Sequence, residues 1–280
     1  MNSRKIDIAA QWRRSIRIKL KWIPGANYST LSAMGETIHY NKAPITEAII
    51  DLRVEPRTEI SLDRLQNLAS DLRNDYPKSG AVYEATGRMH VEPGVTAAAS
   101  AQQTQTGVRC LSEDGRHICQ LLRTGVAHSW LAPYESWGQF RDRAQSVWCN
   151  YREAMDISSV SRVAVRYINR IDVPQENVDL KQYFRTSPEI SPDLPQTMAG
   201  FFMQVQLPLD DIQATAVINQ TIVPPPDMGV VSIILDVDVF RSVAVPQDES
   251  EIWSYFETLH IYKNKVFEAS ITNKTRELFQ

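Results

Sequence analysis

Glycine is scarce, at 11 of 280 residues. None falls in a GxGxxG, GxSxG or P-loop pattern, so the backbone cradles of nucleotide and hydrolase sites are not signalled. Cysteine is scarcer still. Cys110, Cys119 and Cys149 form an odd set without CxxC spacing, which speaks against a disulfide framework and a thiolate zinc site and for reduced, mostly buried thiols. The five histidines, His39, His90, His117, His128 and His260, are scattered without HxxxH or HExxH spacing, so nothing points to a catalytic metal. Serine, histidine and acidic residues enough for a triad occur in almost any chain of this size and carry no weight alone. No apolar run approaches 18 residues; no membrane-spanning helix is expected, and the chain reads as soluble and cytoplasmic. No cofactor and no catalytic motif is implied.

Charge is present but unevenly placed. The formal total is −3, yet residues 1–33 carry seven basic side chains (Arg4, Lys5, Arg13, Arg14, Arg17, Lys19, Lys21) against Asp7 alone, a formal +6. The remainder is left with −9, from 23 basic and 32 acidic residues. A body that acidic suits phosphate-backbone binding poorly, because that mode needs a Lys/Arg surface to release counterions. Nucleic acid would have to engage the basic leader. From Ile16 to Trp22 apolar residues alternate with Arg17, Lys19 and Lys21, a two-residue period unlike an amphipathic presequence helix, and Pro24-Gly25 then breaks the segment. The preferred reading of 1–33 is a disordered tail, or a stretch upstream of a true start at Met34. A nucleic-acid or membrane-surface arm and a targeting peptide are the alternatives.

With 43% hydrophobic residues the rest can bury a sizeable core. Residues 34–280 read as a single α+β domain in which one order of segments runs twice, over about 45–155 and 159–279. In the opening strand Ala48, Ile50, Leu52 and Val54 share one face while Glu47, Asp51, Arg53 and Glu55 share the other. Pro56 ends it, and Ser61 is placed to cap a helix whose stripe is Leu62, Leu65, Leu68, Ala69 and Leu72. Strand-like runs follow at 81–92, 95–104, 107–112, 117–123 and 126–132; the second lacks large apolar groups and suits only an edge. Pro93-Gly94, Thr106-Gly107 and Asp114-Gly115 mark the turns between them, the last being the strongest hairpin signal. From Ser136 onward, Trp137, Phe140, Ala144, Val147, Trp148, Tyr151 and Met155 recur at helical spacing. The second half opens on a strand around Arg166, then predicts a short helix near 179–184, a proline-rich loop, strands at 198–207, 212–223 and 230–239, and a helix over 248–279. The expected architecture is a duplicated β-α-β-β-β-α unit: a curved, mainly antiparallel sheet with two long helices packed on one face.

Two clusters bear on chemistry. Arg162, Arg166 and Arg170 point to one side of their strand with Asp172, while Val163, Val165, Tyr167, Asn169 and Ile171 point to the other. A ladder of guanidiniums presents planar forks suited to phosphate or carboxylate groups. If the two opening strands pair at the sheet centre, however, Glu47, Asp51 and Glu55 would face Arg166 and Arg170 and form cross-strand ion pairs, which is the favoured reading. Asp236 and Asp238, two residues apart on one strand face, could hold a divalent cation or share a proton; a solvated or Arg-paired face is the simpler alternative. Asn169, polar on an oily face, is expected to be a structural hydrogen-bonding residue.

Lys42-Ala43-Pro44-Ile45-Thr46-Glu47-Ala48-Ile49-Ile50, Arg166-Tyr167-Ile168-Asn169-Arg170-Ile171 and Phe267-Glu268-Ala269-Ser270-Ile271-Thr272 resemble a sporadically distributed bacterial family without an assigned activity. The resemblance covers about 34–280 and leaves the basic leader outside. It implies an accessory role, such as defence against phage, and transfers no catalytic residue. The expected function is therefore a non-enzymatic binding protein that engages a protein or an anionic small molecule through Glu47, Asp51, Arg162, Arg166, Arg170, Asp236 and Asp238. The rival is an enzyme acting on a phosphorylated or nucleotide-like substrate through the same Arg and Asp clusters.

Overall fold

The alternation of Ile45–Pro56 is realised as strand β1, with Ala48, Ile50, Leu52 and Val54 at most 3% exposed. The computed structural model describes residues 39–90 and 98–280, so the expectations for the leader, 1–33, lie outside the described residues. After β1 come α1 (Leu62–Asp71), β2 (Lys78–His90), β3 (Ala98–Leu111), β4 (His117–Leu122), β5 (Gly125–Leu131) and α2 (Trp137–Ala154). Then follow β6 (Ile157–Val173), β7 (Phe202–Leu209), β8 (Ala214–Val223), β9 (Val231–Arg241), α3 (Glu249–Ser270) and α4 (Asn273–Glu277). Ser61, Ser136 and Asp248 cap α1, α2 and α3, each accepting a hydrogen bond from a first-turn backbone N–H.

The strands form one sheet in the order β2-β3-β4-β5-β1-β6-β9-β8-β7, antiparallel at each step. The two opening strands, β1 and β6, lie side by side at its centre. Register places His128, Ile50, Val165 and Val239 in one row and Trp130, Ala48, Tyr167 and Val237 in the next, all on one face. Helices pack on that face. Phe140 of α2 meets His128 at 5.5 Å between ring centroids, Lys263 of α3 sits 3.4 Å from the centre of the Tyr167 ring, and Trp137 of α2 stacks on His260 of α3 at 4.1 Å. Phe140, Trp148, Tyr151, Ile252, Phe256 and Leu259 are fully buried along these helices, each contributing about 1.5–3 kcal/mol by leaving water. The described residues all fall in one unit reaching from Thr37 to Gln280.

Lys263 is the odd member of this core. It is 5% exposed, and its Nζ donates to Asn264 Oδ1 at 2.5 Å. Burial pulls its pKa down to about 7, with Glu268 acting weakly the other way. His260, also buried against aromatic rings, is held neutral, its pKa lowered to about 3 by burial and by Lys263.

Several expected boundaries shift. From Ala98 onward, the run expected at 95–104 continues into the one expected at 107–112 as a single strand, β3, because Gly107 is not a turn residue but a ladder residue pairing with Val82 and Leu122. A Cβ there would lie 2.3 Å from the Leu121 carbonyl oxygen, so the close backbone approach demands glycine. Residues Ala98–Gln105 pair with β2 alone among the described residues, the edge situation expected of them. The final helix ends at Ser270 rather than near 279, because Ile271 is extended and bridges to Phe184, and Thr272 caps the short α4 by accepting from Thr275 N. The helix expected near 179–184 is a single 3-10 turn, Leu180–Gln182, capped by Asp179. The first half holds one strand more than the β-α-β-β-β-α unit allows. Cys110 and Cys119 are buried as expected, whereas Cys149 is exposed.

Candidate functional site

On the sheet face away from Tyr167 and Ile50, register lines up Glu47 with Ile168 and Asp236, Ile49 with Arg166 and Asp238, and Asp51 with Ala164 and Phe240. Alternation on β1, β6 and β9 thus delivers both Asp236 and Asp238 beside Arg162 and Arg166. All are polar positions of half-buried strands, where the pleat repeats every two residues. Arg162 bridges two strands, donating from Nη1 to Asp51 Oδ1 at 2.6 Å and from Nη2 to Asp238 Oδ2 at 2.8 Å, with its guanidinium 4.6 Å from the centre of the Phe240 ring. Arg53 completes the Asp51 carboxylate through Nη2 at 2.8 Å. Arg166 grips Asp236 with two parallel bonds, Nε to Oδ1 at 2.8 Å and Nη2 to Oδ2 at 2.7 Å. Asn219 of β8 donates to Asp236 at 2.9 Å and accepts from Gln204 of β7 at 2.8 Å, so the network reaches the sheet edge.

The expected strand pairing is present, but the expected partners are not. Glu47, Asp51 and Glu55 do not neutralise Arg166 and Arg170. Asp51 pairs with Arg162 and Arg53, Arg166 with Asp236 on β9, and Arg170 with Asp172 on its own strand at 3.0 Å. Arg170 also donates to Pro224 O and Ser232 Oγ. Glu47 and Glu55 make no ion pair among the described residues. The reason is register: Ile49, not an acid, lies opposite Arg166 on β1, and β9 supplies the carboxylates from the other side. Asn169 behaves as expected, its amide donating to Leu235 O at 3.0 Å and Tyr167 O at 3.2 Å.

The Arg and Asp clusters therefore converge, and they consume one another. Three carboxylates (Asp51, Asp236, Asp238) meet three guanidiniums (Arg53, Arg162, Arg166), a formally neutral lattice. Both oxygens of Asp236 and one of Asp238 are already bonded to arginine, which leaves little for a divalent cation that normally takes six or more oxygens. Among the described residues no group of three or more His, Cys, Asp or Glu side chains is placed to hold a metal ion. Burial raises the pKa of Asp238, opposed by Arg162 and Arg166, and its Oδ1 is buried without a partner. The bidentate bond to Asp236 raises the pKa of Arg166 and keeps it charged. Arg166 nonetheless has 42% of its side chain exposed, against 6% for Asp236, and its Nη1 donates to no described residue.

Asn219, Gln204 and Phe240 belong to this network, and sequence reasoning passed over them. Their two-residue spacing within β7, β8 and β9 was legible, but their adjacency to Asp236 and Arg162 depends on strand order. Among the described residues no helix is long and apolar enough to cross a membrane. No protein-family model and no curated protein matches the chain, so the bacterial-family resemblance stands on its three motifs alone.

Proposed function

We propose that this chain is a non-enzymatic binding protein that engages a partner through the ion-paired sheet face centred on Arg162 and Arg166. The observation that carries this reading is Arg166: its Nε and Nη2 are locked by Asp236, so a half-exposed guanidinium is held in one geometry with Nη1 uncommitted among the described residues. A preorganised donor costs less entropy on binding than a free arginine. Because the lattice is neutral, recognition rests on hydrogen-bond complementarity more than on bulk attraction, which fits a protein surface or a small anion better than a nucleic-acid backbone. The family resemblance supports an accessory role, of which phage defence is one. Strand order supports reading the chain as a duplication, since β5, β4 and β3 step outward from β1 as β9, β8 and β7 step outward from β6.

The test is a photo-crosslinking residue, p-benzoylphenylalanine, placed at Ile49 or Phe202 on this face and at Ile261 on α3. The full chain is used in its native host, followed by a thermal-shift screen with nucleotides and anionic metabolites. The reading expects a discrete adduct or a ligand shift from the first two positions that is absent at Ile261. Adducts from Ile261 alone would refute it.

A further inference from the structure

The sheet has two outer edges, and they are built differently. At one end β2 carries Lys78 and Glu84, charges of the kind that keep an edge strand from pairing with another chain. At the other end β7, Phe202-Met203-Gln204-Val205-Gln206-Leu207-Pro208-Leu209, has no charged residue along its 8 positions. It pairs with β8 on one side and with no strand among the described residues on the other. Pro208 has no N–H to give to the ladder, and a proline in an edge strand turns its nitrogen outward. Alternation then turns the N–H and C=O groups of Phe202, Gln204 and Gln206 outward as well. Phe202 is 70% and Leu207 41% exposed. The buried row of Ala48, Tyr167 and Val237 runs on through Ile218 to Val205, where both residues are only half-buried, so the oily layer ends open at this edge.

A row of open backbone donors and acceptors is completed by another strand, and the composition of β7 matches its own copy. A two-fold axis normal to the sheet at Val205 lays β7 antiparallel to β7 of a second copy and keeps both oily faces on one side. Val205 then meets Val205 of the second copy, Met203 its Leu207, Gln204 its Gln206, and Phe202 its Pro208. On the helix side each pair is apolar with apolar; on the other, amide meets amide and ring meets ring, and no like charges oppose. Gln204 and Gln206 exchange their outward backbone hydrogen bonds between copies. A register one residue away would set Met203 against Gln206 and Gln204 against Val205, mixing the faces. The contact is isologous and closes at two copies, whereas β7 added to β2 of a neighbour would propagate. We propose that β7 is a homodimer interface, joining two sheets edge to edge across Val205. Both Arg166 faces then look to the same side, but the assignment does not depend on what they bind.

The experiment is sedimentation equilibrium of the full chain from about 1 to about 100 μM, the range that a small edge-to-edge contact calls for. The expected result is a reversible monomer–dimer equilibrium. Val205→Lys, which opposes two ammonium groups at the axis, should weaken it more than about tenfold, while Tyr83→Lys on the β2 edge leaves it unchanged. Should Val205→Lys fail to fold, a cysteine placed at the axis decides the question. With Cys149→Ser as the background, Val205→Cys oxidised by copper phenanthroline should link to itself, since residues opposed in a non-hydrogen-bonded pair lie about 4.5 Å apart between Cα atoms. Leu207→Cys, which faces Met203 of the second copy, should link far less. A chain that stays monomeric throughout the range would overturn the proposal, as would a dimer that Val205→Lys leaves intact or Val205→Cys does not link. Hydrogen exchange at the Gln204 and Gln206 amides identifies the rival: protection in a monomer would mean that the chain covers this edge with a segment of its own.

Discussion

Replacing Lys263 by methionine should make this protein more stable, with a pH dependence that identifies the cause. The ammonium is buried on Tyr167, and its pKa falls from 10.5 to about 7. Between those values the unfolded chain binds a proton that the native chain does not, so native stability climbs as pH rises through the window. The cost of burial is present in full below pH 7. A gap of that width corresponds to about 5 kcal/mol. A native pKa already includes whatever the Tyr167 face returns to the cation, so the whole gap is the penalty below pH 7. Methionine matches the lysine stem and forfeits less than about 1 kcal/mol of packing. Lys263→Met is therefore expected to gain about 4 kcal/mol at about pH 6, an advantage that shrinks toward pH 9 as the wild type recovers. Urea denaturation at several pH values reads this directly, and groups common to both proteins, His260 among them, largely cancel in the difference. A variant less stable than wild type by the same amount at every pH would refute the reasoning, since Lys263 would then be stabilised as a cation where it sits.

The Arg166–Asp236 pair should respond asymmetrically to substitution. Arg166→Met strands a carboxylate that is 6% exposed in its side chain and should cost about 3 kcal/mol. Asp236→Asn frees an arginine able to turn toward water and should cost about 1–2 kcal/mol; equal or reversed losses in urea denaturation would show the pair is not organised by the buried acid. Gly125→Ala should cost more than about 2 kcal/mol, because φ is +141° and the added Cβ would fall 2.0 Å from Leu52 O. A melting temperature unchanged in that variant would mean β1 and β5 are less closely apposed at Leu52.

Local chemistry was legible in the chain itself. Period-two patterning marked β1 and β6, helical spacing marked α2, and Ser61, Ser136 and Asp114-Gly115 marked where elements start and turn, because these signals act between residues close in sequence. Asn169 could be assigned a structural role from its one misplaced amide. Gly107 could not be read correctly, since a glycine needed for close approach and a glycine needed for a turn look alike without the neighbouring strand.

Which side chains share a face follows from residue order alone, since the pleat repeats every two residues whatever lies alongside. That order therefore placed Arg162, Arg166 and Arg170 together on one side, and Asp236 with Asp238 on one side of another strand. Which arginine meets which acid does not follow from residue order. That choice belongs to strand order and register, set by burying the opposite, oily face against the helices: β9 beside β6 binds Arg166 to Asp236, where β1 offers only Ile49. The same long-range packing gathered His117, Trp130 and Arg143 around a cleft and put Lys263 on the Tyr167 ring, contacts between residues too far apart in the chain for any local pattern to carry.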